Sequence, residues 1–490
     1  MSEPCDLGLV EAADAVARRE VTSAALLESC LARLDAVNPK INAAIWVDRE
    51  GARAAAAAAD AALASGTRAS GTRANGTQAG GALAGKLFGV PLAHKDMYYQ
   101  AGKPCTCGSA IRRDFVPDYT CTVVERLGAA GAYSFAGLNM AEFAQNPTGH
   151  NRAFGHCHNP WGLDHITGGS SSGSGALVAS GGTFASLGSD TGGSIRLPAS
   201  ACGVTGIKPT QTRVSRYGVM PLSFSADNVG PLARSARDCA RVLSVIAGHD
   251  PRDPTSAANP VPDYEAALDG DLRGQRIGVP TNAFVLGADP AVLAAFEAAL
   301  AVLAARGASI VRLELPLMPA IAAYGGVVSR VEGATIHARW MRERPQDYAV
   351  HLSGRMYPGF AVPGTYYVEA LARRGPILKA FAAEVFAKVD LLATPTIPTA
   401  LPTLAETDID AAEASGPAET IARFLAVSVN TRPFNYLGLP AVSLPCGFDG
   451  NGLPVGLQLA GRPFAEARVL KVADGYQRET DWHRRKPAGI

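Results

Sequence analysis

Residues 167–199 open with Thr167-Gly168-Gly169-Ser170-Ser171-Ser172-Gly173-Ser174 and close with Asp190-Thr191-Gly192-Gly193-Ser194-Ile195-Arg196-Leu197-Pro198-Ala199. Between these glycine–serine clusters, Ala176-Leu177-Val178-Ala179 reads as a short buried helix and Thr183 to Leu187 as a strand, joined at Gly181-Gly182. Helix, turn and strand in that order fold the second cluster back beside the first. Within Asp190-Thr191-Gly192-Gly193-Ser194, two glycines without Cβ atoms let successive backbone N–H groups converge on one point. An oxyanion or a phosphate fits there.

Outward from this stretch, short apolar runs alternate with helical patterns. Leu87 opens the first, through Phe88-Gly89-Val90-Pro91-Leu92-Ala93-His94-Lys95-Asp96-Met97. Later come the run Ile277 to Val279, a helix from Pro290 to Arg306, Ser309-Ile310-Val311, and Leu391-Leu392-Ala393 before Pro395. Ala441 to Pro445 and Val455 to Leu459 flank Asp449-Gly450-Asn451-Gly452, a hairpin signal. Strands separated by helices predict an α/β fold built on a single large mixed sheet. No composition break divides the chain, so residues 1–490 are expected to form one domain. Residues 1–64 are expected to add a helical N-terminal layer, with two helices punctuated at Thr22-Ser23 and Asn38-Pro39 and a third, alanine-rich one near 50–64. Residues 65–85 repeat Gly-Thr-Arg without apolar period and read as a flexible surface insertion.

The totals exclude several functions. Lys+Arg 45 against Asp+Glu 44 leaves a net charge of +1, with 18% charged residues. Neither a surface that tracks nucleic-acid phosphates nor an acidic tail shows in that balance. At 47% apolar content the chain is not disordered. The nine cysteines are scattered and odd in number, which points to reduced thiols in the cytoplasm. The first residues, Met-Ser-Glu-Pro-Cys-Asp, lack the basic-then-apolar pattern of a secretion signal. No uninterrupted apolar run reaches membrane-spanning length.

The two clusters of 167–199 resemble the amidase signature family. The likeness continues at Gly89-Val90-Pro91-Leu92-Ala93-His94-Lys95-Asp96, Asn139-Met140-Ala141-Glu142-Phe143, Gly206-Ile207-Lys208-Pro209-Thr210, Arg213-Val214-Ser215-Arg216-Tyr217-Gly218, Gly230-Pro231-Leu232-Ala233-Arg234 and Gly438-Leu439-Pro440-Ala441. The resemblance implies a sheet covered by helices on both faces and a Ser–cis-Ser–Lys triad. Ser194 corresponds to the nucleophile, Ser170 to the bridging serine and Lys95 to the base, with Gly169–Ser170 cis. Backbone N–H groups of Thr191, Gly192, Gly193 and Ser194 would hold the oxyanion. Ser171, Asp190 and Arg196 would support the loop, the last two as an ion pair.

That chemistry is consistent with the residues. A serine hydroxyl becomes nucleophilic only when a base takes its proton. Lysine serves as that base once burial favours its neutral form. In an extended run His94 and Asp96 point away from Lys95, so neither cancels its desolvation.

Three rival readings use the same residues. An α/β-hydrolase esterase would take Ser171 as nucleophile, in Gly169-Ser170-Ser171-Ser172-Gly173, but no buried strand precedes it. A phosphate-loop module would need Gly-x-x-x-x-Gly-Lys-Ser/Thr, which does not occur. The amidase subunit of glutamine-tRNA amidotransferase is the third; its glutamine-holding aspartate corresponds to Ser428 here. Cys105-Thr106-Cys107 and His156-Cys157-His158 lack structural zinc spacing, so no metal and no cofactor is expected. The acyl pocket of the family falls at about 315–370, where Tyr324, Trp340, Met341, Met356, Tyr357, Phe360, Tyr366 and Tyr367 point to small aryl amides or carbamates. The expected partner is that small molecule, with no nucleic acid and no membrane; a homodimer is left open.

Overall fold

A computed structural model describes residues 3–65, 85–411 and 417–490. The expected insertion at 65–85 lies, except for its two end residues, outside the described residues. Among the described residues, thirteen strands follow one another between the helices. They are β1 (Ala44–Val47), β2 (Pro91–Lys95), β3 (Tyr133–Leu138), β4 (His158–Asn159), β5 (Gly162–Ile166), β6 (Ala185–Ser189), β7 (Thr205–Lys208), β8 (Val229–Ala233), β9 (Arg276–Pro280), β10 (Ser309–Leu313), β11 (Leu391–Pro395), β12 (Ala441–Phe448) and β13 (Pro454–Gly461).

Eight of them form one mixed sheet in the order β10-β9-β11-β13-β12-β7-β8-β6. β10, β9 and β11 run parallel, and the remaining neighbours pair antiparallel. β11 and β13 are buried along their whole length, as a strand covered on both faces must be. The hairpin of β12 and β13 forms where expected. Asp449 Oδ1 accepts from the N–H groups of Asn451 (2.8 Å) and Leu453 (2.9 Å), while Gly452 takes φ +77°.

The α/β fold on one large mixed sheet is as expected, and a three-stranded and a two-stranded sheet lie beside it. β2, which carries Lys95, belongs to a separate three-stranded sheet in the order β1-β3-β2. Side-chain bonds replace a ladder between β2 and the region of β6. Ala93 N–H donates to Thr183 Oγ1 (3.2 Å), and Leu187 N–H donates to His94 Nδ1 (3.2 Å).

The N-terminal layer holds helices Leu9–Ala17, Ser23–Ile41 and Arg49–Ala64. Thr22 starts the second by accepting from Ala25 N–H at 3.0 Å. Contrary to expectation, Asn38-Pro39 does not end it, and the helix runs on to Ile41. Asn38 Oδ1 accepts from the N–H groups of Ala43 (2.7 Å) and Ala44 (2.9 Å), so it caps the exit instead. The helix Ser172–Ala179 is buried almost throughout, and a Cβ on Gly173 would lie 2.2 Å from Ala43 O. Only glycine permits that approach. All nine cysteines are free and buried. Among the described residues no helix is long and apolar enough to cross a membrane.

Candidate active site

Lys95 ends β2 and Ser189 ends β6, so the packing of two strand ends brings their side chains together. Lys95 Nζ donates to Ser170 Oγ at 2.7 Å and to Ser189 Oγ at 2.8 Å, and the residue is 1% exposed. No carboxylate lies within 4.0 Å of its amine among the described residues. Burial lowers its pKa to about 7, against a smaller opposing pull from Asp190 and Asp227. His94 and Asp96 do face elsewhere: His94 binds Leu187, and Asp96 binds Trp46 Nε1 (3.0 Å) and Thr106 N–H (2.9 Å).

The peptide Gly169–Ser170 is cis, as the resemblance implied. The loop is held on both sides of it: Gly169 N–H donates to Pro147 O (2.6 Å), and Ser170 O accepts from Ala141 N–H (3.0 Å). Ser170 is fully buried.

Asp190 and Arg196, both fully buried, are paired at 2.9 Å under the nest. Burial pushes the Asp190 carboxyl up, but the charge and hydrogen bonds of Arg196, aided by Lys208 and Asn435, outweigh it and hold the pKa at about 2. Arg196 also donates to Thr431 O (3.0 Å), Gln458 Oε1 (2.7 Å) and Asn435 Oδ1 (2.6 Å), while Asn435 Nδ2 donates to Asp190 Oδ1 (2.8 Å). Every oxygen and N–H of the pair is therefore used within the fold, which makes the nest rigid.

The nest differs from the expectation at one position. Gly193 N–H donates to Asp190 Oδ1 (2.9 Å) and is not free for an oxyanion. The N–H groups of Thr191, Gly192 and Ser194 make no hydrogen bond among the described residues. Gly193 sits at φ +133°, and a Cβ there would strike Thr431 Oγ1 at 2.2 Å. That same hydroxyl donates to Gly192 O (2.6 Å), turning the carbonyl out of the nest.

Ser194 is 8% exposed, and its hydroxyl has no partner among the described residues. Ser171 Oγ donates to Ser194 O at 2.5 Å, tying the second cluster to the first. This bond and complete burial make Ser171 a brace, not the nucleophile of an esterase. A cavity of about 330 Å³, lined by Ser189, Met97, Met220 and Asp227, adjoins the cluster. A larger one of about 540 Å³ shares no residue with it.

The cysteines of Cys105-Thr106-Cys107 and His156-Cys157-His158 are free and buried. His150, His156 and Asp408 bring one donor atom each within 4.8 Å of one another. Both His150 nitrogens bond, to Thr148 Oγ1 (2.7 Å) and Leu404 O (2.9 Å), His156 Nδ1 accepts from Asn151 N–H (3.0 Å), Arg152 holds Asp408 at 2.6 Å, and His156 Nε2 lies 4.0 Å from Asp408 Oδ2. The aromatic segment is not gathered into one pocket either. Trp340 stacks on Phe143, Met341 and Met356 enter the core, and Tyr357, Phe360 and Tyr366 face solvent.

The profile of the family described as Amidase matches residues 25–470. The chain belongs to the amidase signature family. It is 42% identical, over 99% of its length and 99% of the relative's, to a subunit of the Glutamyl-tRNA(Gln) amidotransferase of Chloroflexus aggregans. Among solved structures, the amidase is similar to a chain of an unexpected vestigial protein complex that bears on the origins of an s-triazine catabolic enzyme. That match has a TM-score of 0.86 and 33% identity over 96% of this chain and 98% of that one. A peptide amidase from Stenotrophomonas maltophilia follows the same fold at a TM-score of 0.81 and 28% identity, covering 98% of both chains. The chain is thus a hydrolase that acts on carbon–nitrogen bonds.

Sequence reasoning missed Ser189, the second acceptor for the Lys95 amine, and Asn435 and Gln458, which complete the shell of Arg196. The only signal was their polarity inside apolar strand and helix patterns.

Proposed function

We propose that this amidase hydrolyses a small carboxamide through an acyl-enzyme on Ser194. The observation that carries the reading is the 2.7 Å contact between Lys95 and Ser170, made by a lysine whose burial favours its neutral amine. The neutral amine takes the Ser170 proton while Ser170 takes the proton of Ser194, whose oxygen attacks the carbonyl carbon. The Ser189 hydroxyl accepts an amine N–H and so aims the Lys95 lone pair at Ser170. Free N–H groups of Thr191, Gly192 and Ser194 stabilise the oxyanion. The amine leaves with a proton returned through Ser170, and water repeats the sequence on the ester. Nine free buried thiols suit a reducing compartment, and we assign the enzyme to the cytoplasm.

Two settings fit this chemistry. The curated relative's name favours glutamine as the amide and an amidotransferase built of several chains as the assembly. At 42% identity it supports that setting more strongly than it does aryl amides or carbamates. Ser428 favours the other setting, a free-standing amidase of a small amide. Its hydroxyl is spent on Leu425 O (3.4 Å), and it offers no carboxylate to an ammonium group. Ammonia release from glutamine and from simple amides, measured on the isolated chain in chelator without ATP or nucleic acid, decides between them. Turnover of glutamine alone, and only when the partner chains of an amidotransferase are supplied, would select the first. A Ser194→Ala variant that still labels with a fluorophosphonate would reject both.

A further inference from the structure

Two buried sheet edges meet at the Lys95 amine without forming a ladder. β2 is the last strand of the three-stranded sheet, and β6 is the last strand of the eight-stranded one. Both are buried along their whole length. An edge strand presents a row of N–H and C=O groups, and burial makes each unpaired one costly. Here three side chains supply the partners. His94 Nδ1 accepts from Leu187 N–H at 3.2 Å, and Tyr98 OH donates to Gly188 O at 2.6 Å. Thr183 Oγ1 accepts from Ala93 N–H at 3.2 Å while donating to Ala185 O at 3.0 Å.

Two of these clamps straddle the site. His94 immediately precedes Lys95 and Tyr98 follows it by three residues, while Leu187 and Gly188 lead directly into Ser189. Between them Lys95 Nζ reaches Ser189 Oγ (2.8 Å) and Ser170 Oγ (2.7 Å), so a slip of the seam would move the amine against both acceptors. The β6 side is already fixed. Gly188 packs so close to the first cluster that a Cβ on it would lie 2.9 Å from Ser171 Oγ. The aim of the amine therefore depends on the grip from the β2 side.

The histidine is suited to holding and not to proton transfer. His94 and Tyr98 are both buried, and their rings pack edge to face with centroids 6.3 Å apart. Burial pushes the His94 pKa down to about 3. The ring is thus neutral wherever a lysine base can work, with the proton on Nε2 and the Nδ1 lone pair given to Leu187 N–H. A protonated ring would set N–H against N–H. Among the described residues no hydrogen bond joins His94 to Lys95, Ser170 or Ser194.

We propose that His94 and Tyr98 are positioning residues, which lock β2 against β6 so that the Lys95 amine stays aimed at Ser170 and sealed from water. This rests on the Ser194 reading, in which Lys95 is the base. Asp190, Asp227 and the Cys107 thiol are the titratable groups that act on Lys95, and each favours its charged form; burial outweighs them. Water admitted by a loosened seam weakens that burial, so the Lys95 pKa should climb towards the ordinary lysine value.

The test uses the whole enzyme. His94→Leu keeps apolar bulk and removes the acceptor. His94→Asn returns one, because asparagine carries Oδ1 where histidine carries Nδ1, whereas His94→Gln sets its oxygen one carbon further out. His94→Leu should lower kcat ~10–100-fold with KM held within about twofold, the scale of a misplaced reacting group. It should also move the inflection of kcat/KM upward from about pH 7. Asparagine should return most of the lost kcat and the original inflection, and glutamine neither. Tyr98→Phe should cost ~10-fold with the same upward shift. In Ser189→Ala, where the amine has already lost its aim, His94→Leu should cost less than in the wild type. A purely structural seam would lower the unfolding midpoint of His94→Leu and Tyr98→Phe but leave the pH profile unmoved and the double variant additive. Either of those two results, or asparagine no better than leucine, would overturn the proposal. Titrating the Lys95 13Cε resonance, assigned by its loss in Lys95→Ala, separates the two readings. A Lys95 pKa raised in Tyr98→Phe, together with normal turnover by Lys95→Ala, would reject the Ser194 mechanism and leave the hold of the seam on the amine standing. An unmoved Lys95 pKa, with Lys95→Ala inactive, would reject the positioning role alone.

Discussion

The shell under the nest and the helical layer above it treat charge in opposite ways. Asp190 and Arg196 are completely buried, and Thr431, Asn435 and Gln458 complete their hydrogen bonds. In the layer of residues 318–385 and the helix at 432–436, Arg330, Arg355 and Arg432 face one another without a carboxylate. A charge removed from water needs a partner, as Asp190 and Arg196 do, whereas Arg330 and Arg432 are exposed and Arg355 is half-buried, so water answers their charge. The shell carries its own partners and is preorganised, whereas the arginines of the layer stay solvated.

In the proposed mechanism the comparison is sharpest at Ser194. Ser194→Ala should lower amide turnover by on the order of 10⁵-fold or more without changing the unfolding midpoint, because the side chain has no partner to lose. Turnover within tenfold of the wild type would remove the shell from the chemistry. Lys95→Ala should cost on the order of 10³–10⁴-fold, leaving the residual rate that an intact oxyanion site supplies.

The same lysine sets the pH dependence. In the proposed mechanism its neutral form is the base, so kcat/KM should be low in acid, rise through about pH 7 and level off above, far below an ordinary lysine pKa. An inflection near 10 would mean that Lys95 is solvated and that the shell is looser than its geometry.

Arg196→Met should destabilise the fold by about 3–5 kcal/mol, since it strands the Asp190 carboxylate in an apolar interior. Denaturant unfolding reads this directly, and a loss under about 1 kcal/mol would mean that the shell tolerates an unpaired charge as the layer does. Ser189→Ala should lower kcat/KM about tenfold, near 1.4 kcal/mol, by freeing the Lys95 amine to rotate away from Ser170. The smallest effect belongs to the layer's outer face. Phe360 is 49% exposed, and Phe360→Ala should alter stability by less than about 0.5 kcal/mol. A larger loss would mean that this aromatic face is covered in solution.

The sequence alone determined what short-range rules reach. Asp449-Gly450-Asn451-Gly452 between two apolar runs specified the β12–β13 hairpin through turn conformations that few residues adopt. The ordered motifs around Lys95, Ser170 and Ser194 led to the bond between Lys95 and Ser170 and to the Asp190–Arg196 pair. Asn38-Pro39 misled because a stop signal near a helix end says little about which turn it closes. Only the tertiary structure decided that β2 leaves the large sheet, that Ser189 bonds the Lys95 amine and that Asp190 claims the Gly193 N–H. It alone gathered Arg330, Arg355 and Arg432, which no local pattern connects along the chain. Local propensity acts over a few residues, whereas the meeting of distant side chains depends on how whole helices and strands pack.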